Sequence, residues 1–318
     1  MMRVRFWGTR GSLPVALGAD ALRAKLRRVL REASGRRFTT AEDIDTFLDT
    51  QPFALAGTYG GNTSCVQIDP GGNEYVLCDL GSGARAFAQA MMAKHGADGQ
   101  TYHILVSHLH WDHIMGLPFF TPAYMAGNRL RIYGGHAELE MALRRQQDRP
   151  SFPVDFSAFK ATIEFIHLET GRAYDIAGMR VTVKLQRHAG DSYGYRFEGG
   201  GRSVVYSTDS EHTLADPLDT QGFVDFFRDA DLVIFDAMYS LADAISVKAD
   251  WGHSSNIVGV ELCQMARVGH LCLFHHEPAI DDEAISHLLV DAQRLEELTS
   301  EGKGLRVSAA YDGMEIML

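Results

Sequence analysis

Residues 107–113 read Ser-His-Leu-His-Trp-Asp-His and form the most informative stretch of this chain. They follow a strand-like run at residues 102–106 and place three imidazoles and one carboxylate within six positions. In an extended segment His108, His110 and Asp112 point to one side and His113 to the other, so a chain that turns here can offer ligand pairs to two adjacent metal ions. Imidazole and carboxylate groups are the ligands of zinc, manganese and iron sites. The alternative interpretation is a cluster of surface histidines that binds no metal.

Four other loops have the composition of a metal site, and each follows a strand-like run. They are centred on Asp79, on His188, on Asp209 and on the pair His275 and His276. Each signal is weak when taken alone, because an aspartate that follows a strand more often caps a turn or a helix. In this order along the chain, however, the four loops complete a set of imidazole and carboxylate ligands.

The composition is that of a globular protein with a sizeable core, since 46% of the 318 residues are hydrophobic and 22% are charged. The formal net charge of −11 argues mildly against a long nucleic acid as substrate, because contacts to phosphates dominate that affinity. No run of about 20 apolar residues predicts a membrane span, and the first residues lack the pattern of a signal peptide. The four cysteines lie far apart in apolar runs, which predicts buried, reduced thiols and a cytoplasmic location.

Strand-like runs occur in groups that are separated by helical patterns, which predicts two sheets flanked by helices within a single domain of residues 1–318. The strand-like runs lie at residues 3–7, 65–68, 75–79, 102–107, 129–133, 162–168, 180–186, 193–197, 203–207, 232–235 and 271–274. The helical patterns lie at residues 84–94, 137–147, 256–268 and 282–300.

A segment at about residues 16–56 interrupts this pattern, and we interpret it as a helical insertion. Leu22, Leu26 and Leu30 share one face of a predicted helix at about residues 19–33, and basic residues occupy much of the remainder. A second helix is predicted to begin at Thr40, with Asp43 as its capping partner. The basic face is either a solvated surface, or a lid or homodimer contact that brings positive charge towards an anionic substrate.

The first stretch resembles the H-x-H-x-D-H signature of the metallo-β-lactamase-fold hydrolases, and three later residues match the downstream motifs of that superfamily in order. The matching residues are His108, His110, Asp112, His113, His188, Asp209 and His275. The resemblance spans nearly the whole chain except the insertion. It implies an α/β fold, the αββα sandwich of two mixed β-sheets flanked by helices. Within the superfamily the chain looks most similar to the phosphodiesterase branch, which includes tRNA 3′-end-processing endonucleases, because Asp209 stands where many zinc β-lactamases have cysteine.

Carried over onto this sequence, the resemblance implies two divalent metal ions, with zinc expected and manganese or iron as alternatives. The first ion would be held by His108, His110, His188 and Asp209, and the second by Asp112, His113, Asp209 and His275. Asp209 would bridge the two ions, and Asp79 would orient a ligand or the hydroxide through a hydrogen bond. For the last position, His275 fits the register of the motif better than His276, which is kept as the alternative.

The implied chemistry is hydrolysis of a phosphodiester by a hydroxide that bridges the two ions, with Asp112 as a ligand that catalysis requires. His253 lies in a Gly-His-Ser loop and would supply a proton to the leaving group, although it could instead belong to the start of a helix. The residues expected to line the substrate pocket are Asn62, Ser64, Ser192 and Tyr193, with ordinary turns as the alternative. Three tryptophans stand next to motif loops and could stack a nucleobase or simply pack; they are Trp7, Trp111 and Trp251.

The leading prediction is therefore a dinuclear metal-dependent phosphodiesterase that acts on a small phosphodiester, such as a cyclic nucleotide, or on a nucleic-acid end. A long nucleic acid is not expected as substrate, because the chain is acidic and no Gly/Pro-rich basic arm is present in the sequence. The first alternative is hydrolysis of an ester, thioester or lactone at the same site, since one fold hosts several chemistries. A non-catalytic metal-binding sensor is less favoured, because every ligand position is filled.

Overall fold

The structure is a computed structural model and describes residues 1–212, 216–240, 251–300, 302 and 304–318. Within these residues the chain forms two seven-stranded sheets. In spatial order, the strands of the first sheet are β14 (Glu315–Met317), β1 (Arg3–Gly8), β2 (Cys65–Asp69), β3 (Tyr75–Cys78), β4 (Thr101–Leu105), β5 (Arg129–Gly134) and β6 (Thr162–His167). Strands β3 to β6 are parallel to one another, whereas β1 pairs in antiparallel fashion with β14 and β2.

The second sheet is also mixed. In spatial order, its strands are β13 (Arg306–Ala309), β12 (His270–Phe274), β11 (Leu232–Asp236), β10 (Arg202–Ser207), β9 (Ser192–Gly199), β8 (Met179–Gln186) and β7 (Ala173–Ile176). Strands β10 to β13 are parallel, and β7 to β10 form an antiparallel meander. The predicted fold of two mixed sheets is thus confirmed.

Nine α-helices are present in the described part of the chain. They are α1 (Ala19–Glu32), α2 (Ala41–Asp49), α3 (Phe53–Ala56), α4 (Ala84–His95), α5 (Trp111–Ile114), α6 (Leu139–Arg145), α7 (Pro217–Phe227), α8 (Asn256–Met265) and α9 (Asp282–Thr299). None of these helices has the length and apolar character needed to cross a membrane.

Three apolar clusters explain why the sheets and helices stack in four layers. The central cluster joins the inner faces of both sheets, for example Val4 and Ile68 from the first sheet with Val204 and Phe274 from the second. A second cluster lies between the outer face of the second sheet and helices α7 to α9, and a third lies between the first sheet and α4. Strands β11 and β12 are buried along their whole length, which is why their sequences are continuous apolar runs rather than alternating ones.

The segment between β1 and β2 holds α1, α2 and α3, and the two helices predicted there are present. Helix α2 begins after Thr40, whose side chain and that of Asp43 form a reciprocal capping box. Helix α1 has no buried residue. Two of its basic side chains are engaged by the start of α9, because Lys25 pairs with Asp282 and Arg28 pairs with Glu283. Those two cations are therefore directed at the protein itself.

A buried histidine in the second sheet's helical layer makes stability depend on pH. His212 packs among Phe223, Phe227 and Phe235, and burial lowers its pKa to about 3. The unfolded chain therefore binds more protons than the folded chain between about pH 3 and pH 6.5, so His212 makes the protein less stable as the pH falls through that range. We expect the free energy of unfolding to fall by about 1.5 kcal/mol from this residue alone between pH 6.5 and pH 5.

The measurement is urea unfolding of the parent protein and of His212→Phe at both pH values. Because phenylalanine cannot be protonated, the variant should lose less stability than the parent on acidification. Equal losses in the two proteins would show that His212 is not protonated on unfolding.

Candidate metal centre

The candidate centre lies where the carboxyl ends of strands from both sheets meet. From the first sheet, β4 leads into His108 and His110, and Asp112 and His113 follow within α5. His110 has extended backbone angles immediately before the helix, so the chain turns at this point and brings the four side chains to one edge of the sandwich. The second sheet meets them with residues that follow β8, β10 and β12.

Three residues of the centre lie one or two positions after the end of a strand and have left-handed backbone angles. The values of φ are 62° at Asp79, 48° at Asp209 and 60° at His275. This region is uncommon for residues that carry a side chain and costs on the order of 1–3 kcal/mol, and such positions cluster at functional sites. We infer that the left-handed backbone at these three positions serves to direct each side chain into the centre.

The side chains form two groups of potential metal ligands, and within each group the donor atoms all lie within 4.8 Å of one another. The first group is His108, His110 and His188, and the second is Asp112, His113, Asp209 and His275. The second group is fully buried, whereas the first becomes progressively exposed from His108 through His188 to His110. The centre therefore opens to solvent on the side of the first group.

Asp209 stands between the two groups. Its Oδ1 atom lies 3.1 Å from Nε2 of His113 and 3.3 Å from Nε2 of His275. Its Oδ2 atom lies 3.5 Å from Nε2 of His108 and 3.7 Å from Nε2 of His188. One carboxylate thus presents a different oxygen to each group, which is the geometry that a bridging ligand requires.

The donor set fits divalent cations. Nε2 of His108 is buried and has no hydrogen-bond partner, and Nε2 of His113 faces Nε2 of His275 at 3.2 Å. A buried nitrogen without a partner is costly, and a cation held between the rings would satisfy Nε2 of His108. Burial, assisted by neighbouring imidazoles, holds the pKa of His108 well below its usual value, and burial also lowers the pKa of His110 and His188. These rings are therefore neutral, which is the form that binds metal.

Asp79 fixes the segment that follows β4 and carries four of the candidate ligands. Its Oδ2 atom accepts hydrogen bonds from Nδ1 of His113, from the Ser107 hydroxyl and from the Tyr206 hydroxyl, each at 2.7 Å. Its Oδ1 atom accepts the backbone N–H of Ser107 at 2.7 Å. Because Nδ1 of His113 donates to Asp79, Nε2 is the ring nitrogen that is directed at the centre.

Backbone contacts fix two further ligands. Nδ1 of His188 donates to the Gly252 carbonyl at 2.7 Å, so its Nε2 faces the first group. Oδ2 of Asp112 accepts the backbone N–H of Ser12 at 2.7 Å. Burial alone would raise the pKa of Asp112, but the nearby imidazoles of His113 and His275 lower it below the usual value, so the carboxylate is ionised.

The structure distinguishes the two adjacent histidines after β12. His275 lies in the second group, whereas His276 turns away and donates from Nε2 to the Ala310 carbonyl at 2.8 Å. Burial lowers the pKa of His276 to about 4, so this ring is neutral and structural. The geometry therefore favours His275, the residue that the sequence favoured.

His253 has a carboxylate partner that the sequence did not indicate. Its Nδ1 atom donates to Oδ2 of Asp236 at 2.8 Å, and the same nitrogen lies 3.9 Å from Asp209. Burial opposes protonation of His253, but Asp236 outweighs burial and raises the pKa to about 9. Asp236 ends the apolar strand β11, just as Asp79 follows the apolar strand β3, and this shared pattern is the signal that could have found it.

The residues predicted to line a substrate pocket are placed less favourably. Ser64 and Ser192 are completely buried, so neither hydroxyl is open to a substrate in this structure. The amide of Asn62 donates to Asp312 at 3.0 Å, which indicates that it stabilises its own turn. Tyr193 is half-buried and its ring packs edge-on against His136. The alternative interpretation of these positions, structural turns and packing, is the better one for the two serines and Asn62.

The loop after β1 was missed by sequence reasoning and touches the centre directly. Besides the contact from Ser12 to Asp112, Gly11 approaches the ring of His275 so closely that an added Cβ would lie 2.6 Å from Cε1. Contacts between residues so distant in sequence have no local pattern. The second glycine in Gly-Thr-Arg-Gly-Ser signals a tight turn, and it gives no indication of the partner.

We expect Gly11→Ala to weaken zinc binding by about 10- to 100-fold, because the new methyl group must displace the His275 ring and loss of ligand orientation typically has that effect. The measurement is zinc affinity by competition with a chromogenic chelator. Gly72→Ala is the matched control, since a Cβ at Gly72 meets nothing within 4 Å. Unchanged zinc affinity in Gly11→Ala would show that the turn does not position His275.

The chain is similar in sequence and in fold to several known proteins. Residues 68–276 match a family model described as the β-lactamase superfamily domain. Ribonuclease Z of Thermoplasma acidophilum is 24% identical over 252 residues, covering 64% of this chain and 77% of the relative. Ribonuclease Z of Bradyrhizobium diazoefficiens is 25% identical over 302 residues, covering 79% of this chain and 94% of the relative. The metallo-β-lactamase-fold protein YhfI from Bacillus subtilis superposes with a TM-score of 0.66 at 18% identity, covering 99% of this chain and 98% of that one.

Proposed function

The chain belongs to the β-lactamase superfamily, and we propose that it is a phosphodiesterase that uses two divalent metal ions to hydrolyse a nucleotide diester or the end of a nucleic acid. The single observation that carries this proposal is the position of Asp209, whose two oxygens face two separate groups of ligands. The predicted superfamily and the predicted class of metal-dependent hydrolase are confirmed by the family match and the relatives. The number of ions, their identity and the role of each residue are part of the proposal.

The proposed ligands follow the two groups. The first ion would be held by His108, His110, His188 and Oδ2 of Asp209, and the second by Asp112, His113, His275 and Oδ1 of Asp209. The majority of imidazole ligands favours zinc, with manganese and iron as alternatives because carboxylates are present. When bound, such a pair of ions would lower the pKa of a water molecule and polarise the phosphoryl oxygen.

The chain's own residues then orient the ligands and supply a proton to the leaving group. Asp79 fixes the ring of His113 through the hydrogen bond to Nδ1, and the backbone of Ser12 fixes Asp112. His253 uses Nδ1 to bind Asp236, so its Nε2 atom is left to carry the proton that the leaving oxygen takes up. Asp236 is therefore proposed as the residue that holds His253 in its orientation.

The names of the two relatives indicate a substrate class. Both curated relatives are named ribonuclease Z, which supports a nucleic-acid end as substrate and does not support the expectation that a long nucleic acid is excluded. The alternative of ester, thioester or lactone hydrolysis is not favoured by these relatives. A cytoplasmic location, the single domain of residues 1–318 with an insertion at about residues 16–56, and a homodimer stay predictions.

The test is a panel of substrates offered to protein loaded separately with zinc and with manganese. The panel contains thymidine 5′-p-nitrophenyl phosphate, a short single-stranded RNA, p-nitrophenyl acetate, a thioester and a lactone. Turnover of the first two compounds well above the other three supports the proposal. Turnover of the carboxylic esters without the phosphodiesters, in protein that holds metal, would overturn it.

A further inference from the structure

Two of the three tryptophans are unusually exposed for such large apolar side chains. Trp111 is 76% exposed and Trp251 is 61% exposed, whereas Trp7 is 8% exposed and packs edge-on against Phe87. Among the residues that the structure describes, neither exposed indole has an aromatic or cationic partner. Trp is usually buried over much of its surface, so two exposed indoles next to a candidate centre form a candidate binding surface.

Both tryptophans are sequence neighbours of residues on the open side of the metal centre. Trp111 follows His110 directly, and Trp251 directly precedes Gly252, whose carbonyl accepts Nδ1 of His188 at 2.7 Å. His110 and His188 lie side by side, with Nδ1 of the first 3.2 Å from Nε2 of the second. These two histidines are the least buried of the proposed ligands, so the backbone that carries the two tryptophans borders the side on which the centre is open.

We propose that Trp111 and Trp251 form a stacking subsite for an unpaired nucleobase next to the scissile phosphate, an inference that rests on the proposed phosphodiesterase function. Every base has a flat aromatic face, so stacking tolerates all four bases. It also needs no positive surface, which suits a chain with a net charge of −11. The substrate class is therefore a nucleotidyl diester whose base is free to unstack, such as a single-stranded end or a short oligonucleotide.

Stacking on an exposed indole argues against a base-paired substrate. A base inside a duplex is stacked on its neighbours and cannot present its face to a side chain, whereas a base at a single-stranded end can. Each indole is carried by a residue that is adjacent in sequence to a residue contacting His188. The base that stacks there belongs to the nucleotide whose phosphate reaches the centre.

A binding experiment tests the subsite without relying on turnover. Zinc-loaded protein is titrated with uridine 5′-monophosphate and, separately, with ribose 5-phosphate, and tryptophan fluorescence and calorimetry are recorded. We expect the nucleotide to quench fluorescence and the sugar phosphate to leave it unchanged, because Trp7 is buried and cannot report on the subsite. Trp111→Ala and Trp251→Ala should each raise the Kd for the nucleotide by about 10-fold, and Trp111→Phe and Trp251→Phe should restore most of the affinity.

Kinetics give the second readout. With a single-stranded oligonucleotide and its counterpart that lacks the base beside the cleaved bond, the alanine variants should lose the preference for the base-containing substrate through KM rather than kcat. Leu298→Ala is the matched control, since Leu298 is 76% exposed like Trp111 and lies on α9. The zinc content of every variant is measured, so that a disturbed centre is recognised.

The outcomes separate this inference from the proposed function. Cleavage of phosphodiesters with unchanged base preference in both alanine variants would overturn the subsite and leave the phosphodiesterase intact. Base-dependent quenching that both alanine variants lose, in a protein that cleaves no phosphodiester, would support a nucleotide subsite and overturn the proposed function. Equal binding of uridine 5′-monophosphate and ribose 5-phosphate by the parent protein would also overturn the subsite.

Discussion

Replacement of Asp209 by alanine is expected to reduce the rate of phosphodiester hydrolysis by more than about 100-fold. Loss of a residue that only hydrogen-bonds to a metal ligand typically reduces activity by about 10- to 100-fold, and Asp209 is proposed as a ligand itself. The two oxygens of Asp209 lie 3.1–3.7 Å from four histidine nitrogens, two in each group, so the substitution removes a contact to both groups at once. The bound metal should fall from about two ions per chain to fewer than one.

The measurements are elemental analysis after gel filtration and initial rates on thymidine 5′-p-nitrophenyl phosphate. Asp209→Asn accompanies the alanine variant, because it keeps the side-chain volume and so separates loss of charge from a packing defect. Asp291→Ala on α9 is the control, since it removes an exposed carboxylate that belongs to neither group of potential ligands. Two ions per chain in Asp209→Asn, together with parental rates, would contradict the bridging role.

Replacement of His253 by alanine is expected to lower kcat by about 10²- to 10⁴-fold for a substrate with a nucleoside alkoxide as leaving group. An alkoxide needs a proton as it departs, and Nε2 of His253 is the nitrogen left free by the bond from Nδ1 to Asp236. The effect should be much smaller for a p-nitrophenyl ester of the same nucleotide, because p-nitrophenolate leaves without a proton.

The comparison of the two leaving groups is the decisive part of this experiment. Asp236→Asn should show the same dependence with a smaller amplitude, because it loosens His253 without removing it. His287→Ala, an exposed histidine on α9, is the control. If His253→Ala slows both substrates equally while the metal content stays at the parental level, His253 positions the substrate and does not transfer a proton.

The central layers of the fold could be predicted because their strands are continuous apolar runs. Strands β3, β4, β11 and β12 are buried on both faces, and each was visible in the sequence as such a run. Strands β7, β13 and β14 were missed. They are short, they lie at sheet edges, and part of each is exposed, so their sequences carry no strong apolar pattern.

The ligand groups could be predicted because metal chemistry restricts residue types to imidazole and carboxylate, and the loops that hold them follow recognisable strands. Contacts that depend only on the three-dimensional fold could not be predicted from the sequence. The bond from Ser12 to Asp112 joins residues 100 positions apart, and Asp236 meets His253 only because β11 and the loop before α8 end at the same edge.

Two of the residues predicted to line the substrate pocket are not accessible in the structure. Ser64 and Ser192 have the composition of pocket-lining turns, yet both are fully buried. The Ser192 hydroxyl is held by Gln186 and by the Thr208 carbonyl, inside the turn that supports Asp209. A hydroxyl next to a motif in sequence can face the core rather than the ligand, and sequence alone does not distinguish the two.

The most direct test of a dinuclear phosphodiesterase centre is a metal titration of the metal-free protein, in which zinc binding and turnover of thymidine 5′-p-nitrophenyl phosphate are followed in the same samples. We predict that zinc binding saturates at about two ions per chain and that turnover rises to its maximum only as the second ion binds. Saturation at one ion with full turnover, or at two ions with no phosphodiester turnover, would contradict it.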